Sequence, residues 1–343
     1  MVKVSIISPC YNGESHLIPY INGLLSQTFS DVEFIFVNDG STDNTEKIIL
    51  SYTDKFQSKG WTFKYINLEI RGGQARAINQ GLKIFTGEYL CCIDSDDIIM
   101  PTFLEEMVLF LDNNKQYSIA FSWSEVIEEN TNRHIKYFKR IIPEHTKDSL
   151  FDDFILQRYN DENYILYTSF MLRTKAFLDI YPNRQIYEGL SGQNAQILLP
   201  ILYNYKCGYV NKILYKAIAR VNSDSRLDNL QDLIHKTYSW EDIYCNVIKI
   251  IPNMPEYEKS FYFSYIKNYW ENFRKNLIHN NNTPTETKKE SLLYTIFSVK
   301  NDYQNNIKRK IITILGIKIK IRSKQKCKNR MVVESESNPP ISS

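Results

Sequence analysis

EYLCCIDSDD, residues 88–97, is an apolar run that ends in three carboxylates within four positions. Tyr89 to Ile93 reads as a buried strand. Asp94, Asp96 and Asp97 at its end repel one another unless a cation sits among them. In an open α/β sheet, ligands bind in the crevice beyond the carboxyl ends of the strands. A hard, oxygen-rich cluster there suits Mg²⁺ or Mn²⁺, which keep several waters and bridge to substrate phosphates. The competing reading is a turn followed by a helix cap, because Asp is common in both. The surroundings decide between them.

Upstream, strand and helix signals alternate. Residues 2–7, 32–37 and 61–67 read as strands, and 14–27, 43–56 and 74–85 as helices. Asn12 is placed to cap the first helix, and Asp43 with Glu46 resembles a capping box for the second. Regular β-α order predicts an α/β fold with a mostly parallel sheet and helices on both faces. Downstream, 101–111, 150–157 and 192–205 read as helices, and 117–126, 134–139, 164–172, 207–210 and 213–220 as strands. From about 226 the pattern turns helical and aromatic. Tyr257, Phe261, Tyr265 and Tyr269 form a stripe read as packing, beside Tyr262 and Trp270 on a neighbouring face. The expected organisation is 1–225 as the main domain (1–98 nucleotide-binding, 99–225 acceptor half), 226–302 as a helical extension and 303–343 as a basic tail. Residues after Val332 are polar and expected to be disordered.

The chain has 343 residues, of which 43% are hydrophobic, enough for a real core. No stretch reaches the roughly 20 apolar residues of a membrane span. The first nine residues read as a strand, without the apolar region and cleavage site of a signal peptide. Six scattered cysteines, with no zinc-like spacing, read as reduced thiols of a cytosolic protein. Ten of the 42 Lys and Arg fall between Lys308 and Arg330, where there is no acid; the rest of the chain has 32 basic residues against 39 acidic. The positive charge is therefore an appendage. Its reading is contact with an anionic membrane surface, at about 1 kcal/mol per basic residue near the lipid. A solvated tail and nucleic-acid binding compete with it, and no nucleic-acid partner is expected.

The strand ends line up on one edge of the sheet: Pro9-Cys10-Tyr11-Asn12, then Asn38-Asp39-Gly40-Ser41, then Asp94-Ser95-Asp96-Asp97, with Arg71-Gly72-Gly73-Gln74-Ala75-Arg76 before the third helix. Together they supply an aromatic ring, an isolated carboxylate, cations and a metal site, as a nucleoside diphosphate requires. The Gly-rich turn of a dehydrogenase is absent after the first strand.

"SIISPCYNGE" (5–14), "VNDGSTDNT" (37–45) and "GLKIFTGEYLCCIDSDD" (81–97), followed by the later strand pair, resemble family 2 glycosyltransferases of the GT-A fold, closely over 2–110 and more weakly to about 226. The resemblance implies an inverting hexosyltransferase that moves a sugar from a nucleotide-diphosphate donor, a UDP-sugar, to a saccharide or lipid-linked acceptor. The setting it implies is bacterial surface polysaccharide synthesis, with the enzyme peripheral at the inner membrane face. It assigns Asp39 to the base, Pro9, Tyr11 and Asn12 to the walls of the base pocket, Asp94 and Ser95 to the ribose or diphosphate region, and Asp96 to Mn²⁺ or Mg²⁺. Asp97 stays open between a supporting role and a helix cap.

The chain departs from that family at several places. Asn38 stands where relatives often have a second Asp. Ile78 stands where they often have an Arg before the Asn matching Asn79, which leaves Arg71 and Arg76 as cations for the phosphates. Arg220 replaces a His near the diphosphate and is expected to clamp it, since Arg pairs bidentately with phosphate. An inverting transferase needs a carboxylate to take the acceptor proton. Where relatives have Glu-Asp, this chain has Gln193-Asn194, and neither amide is a base at neutral pH. Glu188 is the favoured candidate, Asp224 a second, and orientation of the acceptor by Asn194 a third. The alternative function is a nucleotide-sugar-binding or scaffold protein with impaired chemistry. A nucleotidyltransferase comes third, since its Gly-rich basic signature is absent.

Overall fold

The computed structural model describes residues 2–129, 131–142, 148, 150–158, 165–189, 192–220 and 229–282, and then strands at 297–304, 307–314 and 317–322. The expected disorder after Val332, and the candidate Asp224, lie outside the described residues. The chain separates into two units, Met1–Asn282 and Thr283–Ser343.

The first unit opens with β1 (Val4–Cys10), α1 (Leu17–Leu25), β2 (Val32–Asn38), α2 (Thr45–Leu50), α3 (Thr53–Ser58), β3 (Thr62–Asn67), α4 (Gln74–Ile84) and β4 (Tyr89–Cys92). It continues with β5 (Ile98–Ile99), α5 (Phe103–Asn113), β6 (Ile119–Glu128), β7 (His134–Phe138), α6 (Leu150–Ile155), β8 (Phe170–Arg173), α7 (Thr174–Ile180), α8 (Gln193–Asn204) and β9 (Cys207–Ala219). Helices α9 (Leu230–Ile250) and α10 (Glu256–Asn282) follow. The sheet runs β3-β2-β1-β4-β8-β6-β9-β5, with β7 paired to β6. Strands β1 to β4 are mutually parallel where they pair, β8 is antiparallel to β4 and β6, and β9 is parallel to β6.

Three local expectations are corrected. Asn12 does not cap α1: it sits at φ 49°, its Oδ1 accepts from the Thr42 backbone N–H at 2.8 Å, and His16 holds the cap position. The single helix expected to Phe56 is two. The Ser51 and Thr53 hydroxyls donate to the carbonyls of Ile48 and Leu50, which competes with continued helix. The strands expected at 207–210 and 213–220 are one strand, whose register against β6 shifts twice, skipping Asn211 with Lys212 and then Leu214.

Every residue of β1, β2 and β4 is buried, as parallel strands covered on both faces must be. Phe34, Phe56, Trp61 and Phe63 form an aromatic cluster beside β2. Phe34, Phe56 and Trp61 are buried, and each contributes about 2 kcal/mol. Glu33 lies buried inside β2 and is fully partnered. It pairs with Lys64 and accepts from Ser5 Oγ at 2.6 Å and the Thr86 N–H at 2.8 Å. Burial pushes its carboxyl up, but these partners outweigh burial and hold it below the ordinary value.

The stripe on α10 divides. Tyr262, Ile266, Trp270, Phe273 and Leu277 are buried, whereas Tyr257 and Phe261 are 73% and 55% exposed. The packing face is the neighbouring one, and the first turn of the expected stripe stands in solvent. Among the described residues, no helix is long and apolar enough to cross a membrane.

The second unit contains β10 (Phe297–Gln304), β11 (Ile307–Ile314) and β12 (Ile317–Arg322) in an antiparallel sheet. The basic run is therefore partly built into strands, with Lys310 opposite Ile321 and Ile311 opposite Lys320.

Candidate functional site

Because β8 reverses between β4 and β6, the strands β1, β2, β4, β6 and β9 all point the same way. Their carboxyl ends meet on one edge, and the candidate donor residues stand there. Asp39 follows β2, fixed by its N–H to the Cys10 carbonyl at 2.8 Å. Its buried carboxylate accepts from the backbone N–H groups of Gly72 and Gly73, at 2.8 Å each. Asp39 thus holds the loop that opens α4. Gly40 makes this approach possible. It sits at φ 68°, and a Cβ there would lie 2.6 Å from the Arg71 nitrogen.

The acidic turn follows β4. The Asp97 N–H donates to the Asp94 carbonyl at 3.2 Å, and oxygens of Asp94, Asp96 and Asp97 come within 4.8 Å of one another. Gln74, the first residue of α4, donates to Asp94 Oδ1 at 2.9 Å. Burial, then repulsion from Asp96, pushes the Asp94 carboxyl up to about 7. Asp97 is raised well above the ordinary value, by burial first and its acidic neighbours second. Three acids this close outweigh the one cation that reaches them, and their all-oxygen donor set fits a hard divalent cation. Asp97 is neither a helix cap nor free to ligate with both oxygens: Tyr215 donates to its Oδ2 at 2.8 Å and the Ile218 N–H to its Oδ1 at 3.0 Å. The residue at the cap position of α5 is Thr102.

Arg220, just past β9, reaches the same turn. Its guanidinium pairs with Asp96, and Nη1 lies 2.6 Å from His16 Nδ1. Burial, then Arg220, lowers the His16 pKa, so the neutral imidazole is favoured beside the guanidinium.

The other expected donor residues divide by orientation. Tyr11 is partly exposed, with the Arg71 guanidinium 4.0 Å from its ring centroid. Arg76 folds over Gly72, where a Cβ would lie 2.2 Å from its Cδ. Arg71 belongs to the loop held by Asp39, and Tyr11 and Arg76 lie against that loop. Pro9 is buried in β1 opposite Val37. Ser95 is buried and hydrogen-bonds the Cys10 thiol, so it faces inward. Asn38 ties the end of β2 to Tyr65 and Asn67 of β3, and its Oδ1 accepts from the Ser41 N–H in the following turn.

Glu188 is exposed and takes a hydrogen bond at Oε1 from Asn79 Nδ2, at 3.2 Å. Gln193 and Asn194 are buried in the first turn of α8, and Asn194 Oδ1 has no hydrogen-bond partner among the described residues. Sequence reasoning gave no role to Gln74 or Asn79. Both are polar residues of α4, and Asn79 lies on the buried face with Ala75, Ile78 and Leu82, which was the available signal.

Two solved structures share this architecture. S. aureus TarS in complex with UDP-GlcNAc aligns with a TM-score of 0.55 at 21% identity, covering 83% of this chain and 77% of that one. A mannosyltransferase from Pyrobaculum calidifontis in complex with GDP-Man and Mn²⁺ aligns at 0.53 and 13%, covering 81% and 72%. At these identities they speak to the fold alone, which is the expected GT-A arrangement. Among curated relatives, an uncharacterized glycosyltransferase of Rickettsia conorii is 40% identical over 140 residues, 40% of this chain and 22% of that protein. Another, of Rickettsia typhi, is 36% identical over 149 residues, 43% of each. The poly-β-1,6-N-acetyl-D-glucosamine synthase of Staphylococcus epidermidis is 35% identical over 96 residues, 28% of this chain and 22% of that enzyme. In each case the match spans less than half of the relative's own length. The Glycosyl transferase family 2 model matches residues 5–180, a stretch that holds the Asp39 loop, the acidic turn and most of the sheet. The chain belongs to glycosyl transferase family 2.

Proposed function

We propose that the chain transfers a sugar from a nucleoside diphosphate donor, a UDP-sugar, to a saccharide or lipid-linked acceptor in surface polysaccharide synthesis, with inversion. The observation that carries this is the convergence of Asp94, Asp96 and Asp97 beside the loop that Asp39 holds, at the carboxyl edge of the sheet. The TarS and poly-N-acetylglucosamine synthase likenesses support the donor class and the setting.

Tyr11, Arg71 and Asp39 bind and orient the base. Asp96, with Asp94 beside it, would hold Mn²⁺ or Mg²⁺, which when bound supplies positive charge toward the diphosphate. Arg220 clamps the diphosphate after leaving Asp96. Glu188 takes the proton of the attacking acceptor hydroxyl. As that O–H bond breaks, the oxygen bonds the anomeric carbon, and the carbon's bond to the phosphate oxygen breaks, releasing the nucleoside diphosphate.

The test is a panel of UDP- and GDP-sugars with Mn²⁺, read as nucleotide release. Turnover of one UDP-sugar, lost in Asp96→Ala and reduced by about 10²-fold or more in Glu188→Gln, supports the reading. Tight UDP binding without release from any donor overturns it in favour of a binding protein. Near wild-type turnover of Glu188→Gln removes Glu188 from the role.

We infer further that the basic run in the second unit holds the protein to an anionic membrane face. Its density of Lys and Arg, at about 1 kcal/mol each near lipid, supports this. Vesicles containing phosphatidylserine should retain the full chain in flotation and release Lys318→Glu/Lys320→Glu. Equal retention of both proteins refutes it.

A further inference from the structure

Asn79 is 1% exposed, in the middle of α4, yet its side chain is directed at another segment altogether. Nδ2 donates to the Ile186 carbonyl at 2.9 Å, and Oδ1 accepts from the Ile186 N–H at 2.9 Å. This pair closes a ring like that between two strands, and it fixes the backbone two residues before Glu188. The third bond runs from Nδ2 to Glu188 Oε1 at 3.2 Å. Both amide protons are then used, one on the backbone and one on the carboxylate.

We infer that Asn79 is the positioning residue for the Glu188 carboxylate; the inference rests on the reading of Glu188 as the base. A Glu on an exposed loop samples several rotamers, most of which point its carboxylate at water. A buried donor on a rigid helix selects one, and a bond to Oε1 leaves Oε2 to receive the acceptor proton. The helix that supplies this donor is also the one whose first residue, Gln74, bonds Asp94 and whose leading loop is held by Asp39. One 11-residue element therefore sets the donor side and the base at once. This answers the departure at Gln193-Asn194: the base is supplied from the preceding loop and held from α4 rather than carried on α8.

A nearly isosteric change isolates these bonds. Asn79→Asp keeps an acceptor for the Ile186 N–H, but it loses both donors and sets a carboxylate against Glu188. The experiment is a double-mutant cycle on the full chain, read as nucleotide release from the UDP-sugar that turns over in the panel. Asn79→Asp should lower kcat about tenfold to a hundredfold, the scale of a misplaced reacting group. The donor KM should stay within about twofold, because the donor contacts are unchanged. In the Glu188→Gln background the same change should have no further effect, since the group it positions is gone. Unchanged kcat in Asn79→Asp, while Glu188→Gln is crippled, overturns the inference and leaves the base standing. An equal loss in both backgrounds also overturns it. Wild-type turnover of Glu188→Gln overturns the base and the inference together.

Discussion

Tyr215 donates its hydroxyl to Asp97 across 2.8 Å, and this bond fastens the last long strand of the sheet to the acidic turn. The attachment is reinforced next door, where β5 pairs antiparallel with β9 through Ile98 with Lys216 and Ile99 with Tyr215. On the other side, the Ile93 N–H reaches the Ile7 carbonyl of β1 at 3.1 Å. The turn that carries Asp94 and Asp96 is thus gripped from two separate parts of the chain.

Replacing Tyr215 by Phe removes the donor and keeps the ring, so it isolates that bond. Asp97 is buried, and a buried carboxyl oxygen left without its donor costs about 1–3 kcal/mol. A fall of that size in urea unfolding, with an unchanged denaturant slope, is expected. An unchanged midpoint would show that Asp97 is held by Ile218 alone.

Arg220 lies against the carboxylate of Asp96, on which a cation would also act. Arg220→Ala should therefore shift two measurements in opposite directions. Mn²⁺ binding without donor should tighten, because the competing guanidinium is gone. The donor KM should rise about tenfold, equivalent to 1.4 kcal/mol, because a phosphate partner is gone. Titration calorimetry and steady-state kinetics read the two. No change in either would leave Arg220 as a structural ion pair.

Gly40 and Gly60 both have positive φ, at 68° and 85°, but only Gly40 is crowded. A Cβ on Gly40 meets the backbone of Ile70 and Arg71, whereas one on Gly60 meets nothing within 4 Å. Gly60→Ala should cost only the left-handed strain, about 1 kcal/mol, with UDP affinity unchanged. Gly40→Ala should cost more, about 2–3 kcal/mol, and weaken UDP by pushing away the loop that carries Arg71. Equal affinities in the two variants would detach that loop from donor binding.

The first half of the fold was legible because its signals are local. Apolar runs such as 32–37 and 89–93, separated by helical periodicity, leave one arrangement, and acids at strand ends fall on one edge whatever the loops do. What depends on long-range partners was not legible. Asp97 looked like a cap or a supporting acid because Tyr215 and Ile218 lie more than a hundred residues away. Asn12 looked like a cap until Thr42 claimed its side chain. Asn79 matched a family Asn but carried no role, and only the approach of Ile186 and Glu188 gives it partners. Hydrogen-bond partners of this kind are set by tertiary closure, which no window of sequence contains.

Glu33 makes the stability of the first unit sensitive to acid. Its folded carboxyl lies below the ordinary value of 4.5, so its contribution is present above that value and is lost as pH falls through the folded one. Glu33→Gln cannot titrate. At pH 7 it should be less stable than the wild type by about 2 kcal/mol, the scale of a lost charged hydrogen bond. The gap should narrow steadily as pH falls from about 5 to about 3. Parallel stability curves for the two proteins over that range would show that Glu33 is not responsible.

Trp270 and Tyr257 lie on the same helix and separate the two faces of α10. Trp270 is buried against Trp240, at 5.3 Å between ring centroids, and against Phe273 at 5.7 Å. Tyr257 stands mostly in solvent, and its hydroxyl donates to Glu258 Oε1 at 3.2 Å. Trp270→Ala should cost about 3–5 kcal/mol, the transfer loss of a large aromatic plus the cavity it leaves. Tyr257→Ala should fall within about 0.5 kcal/mol of the wild type. Thermal unfolding of the full chain measures both. A large loss from Tyr257→Ala would mean that its ring is covered by something other than the helices of the first unit, and would move the packing face of α10 back to the stripe that begins at Tyr257.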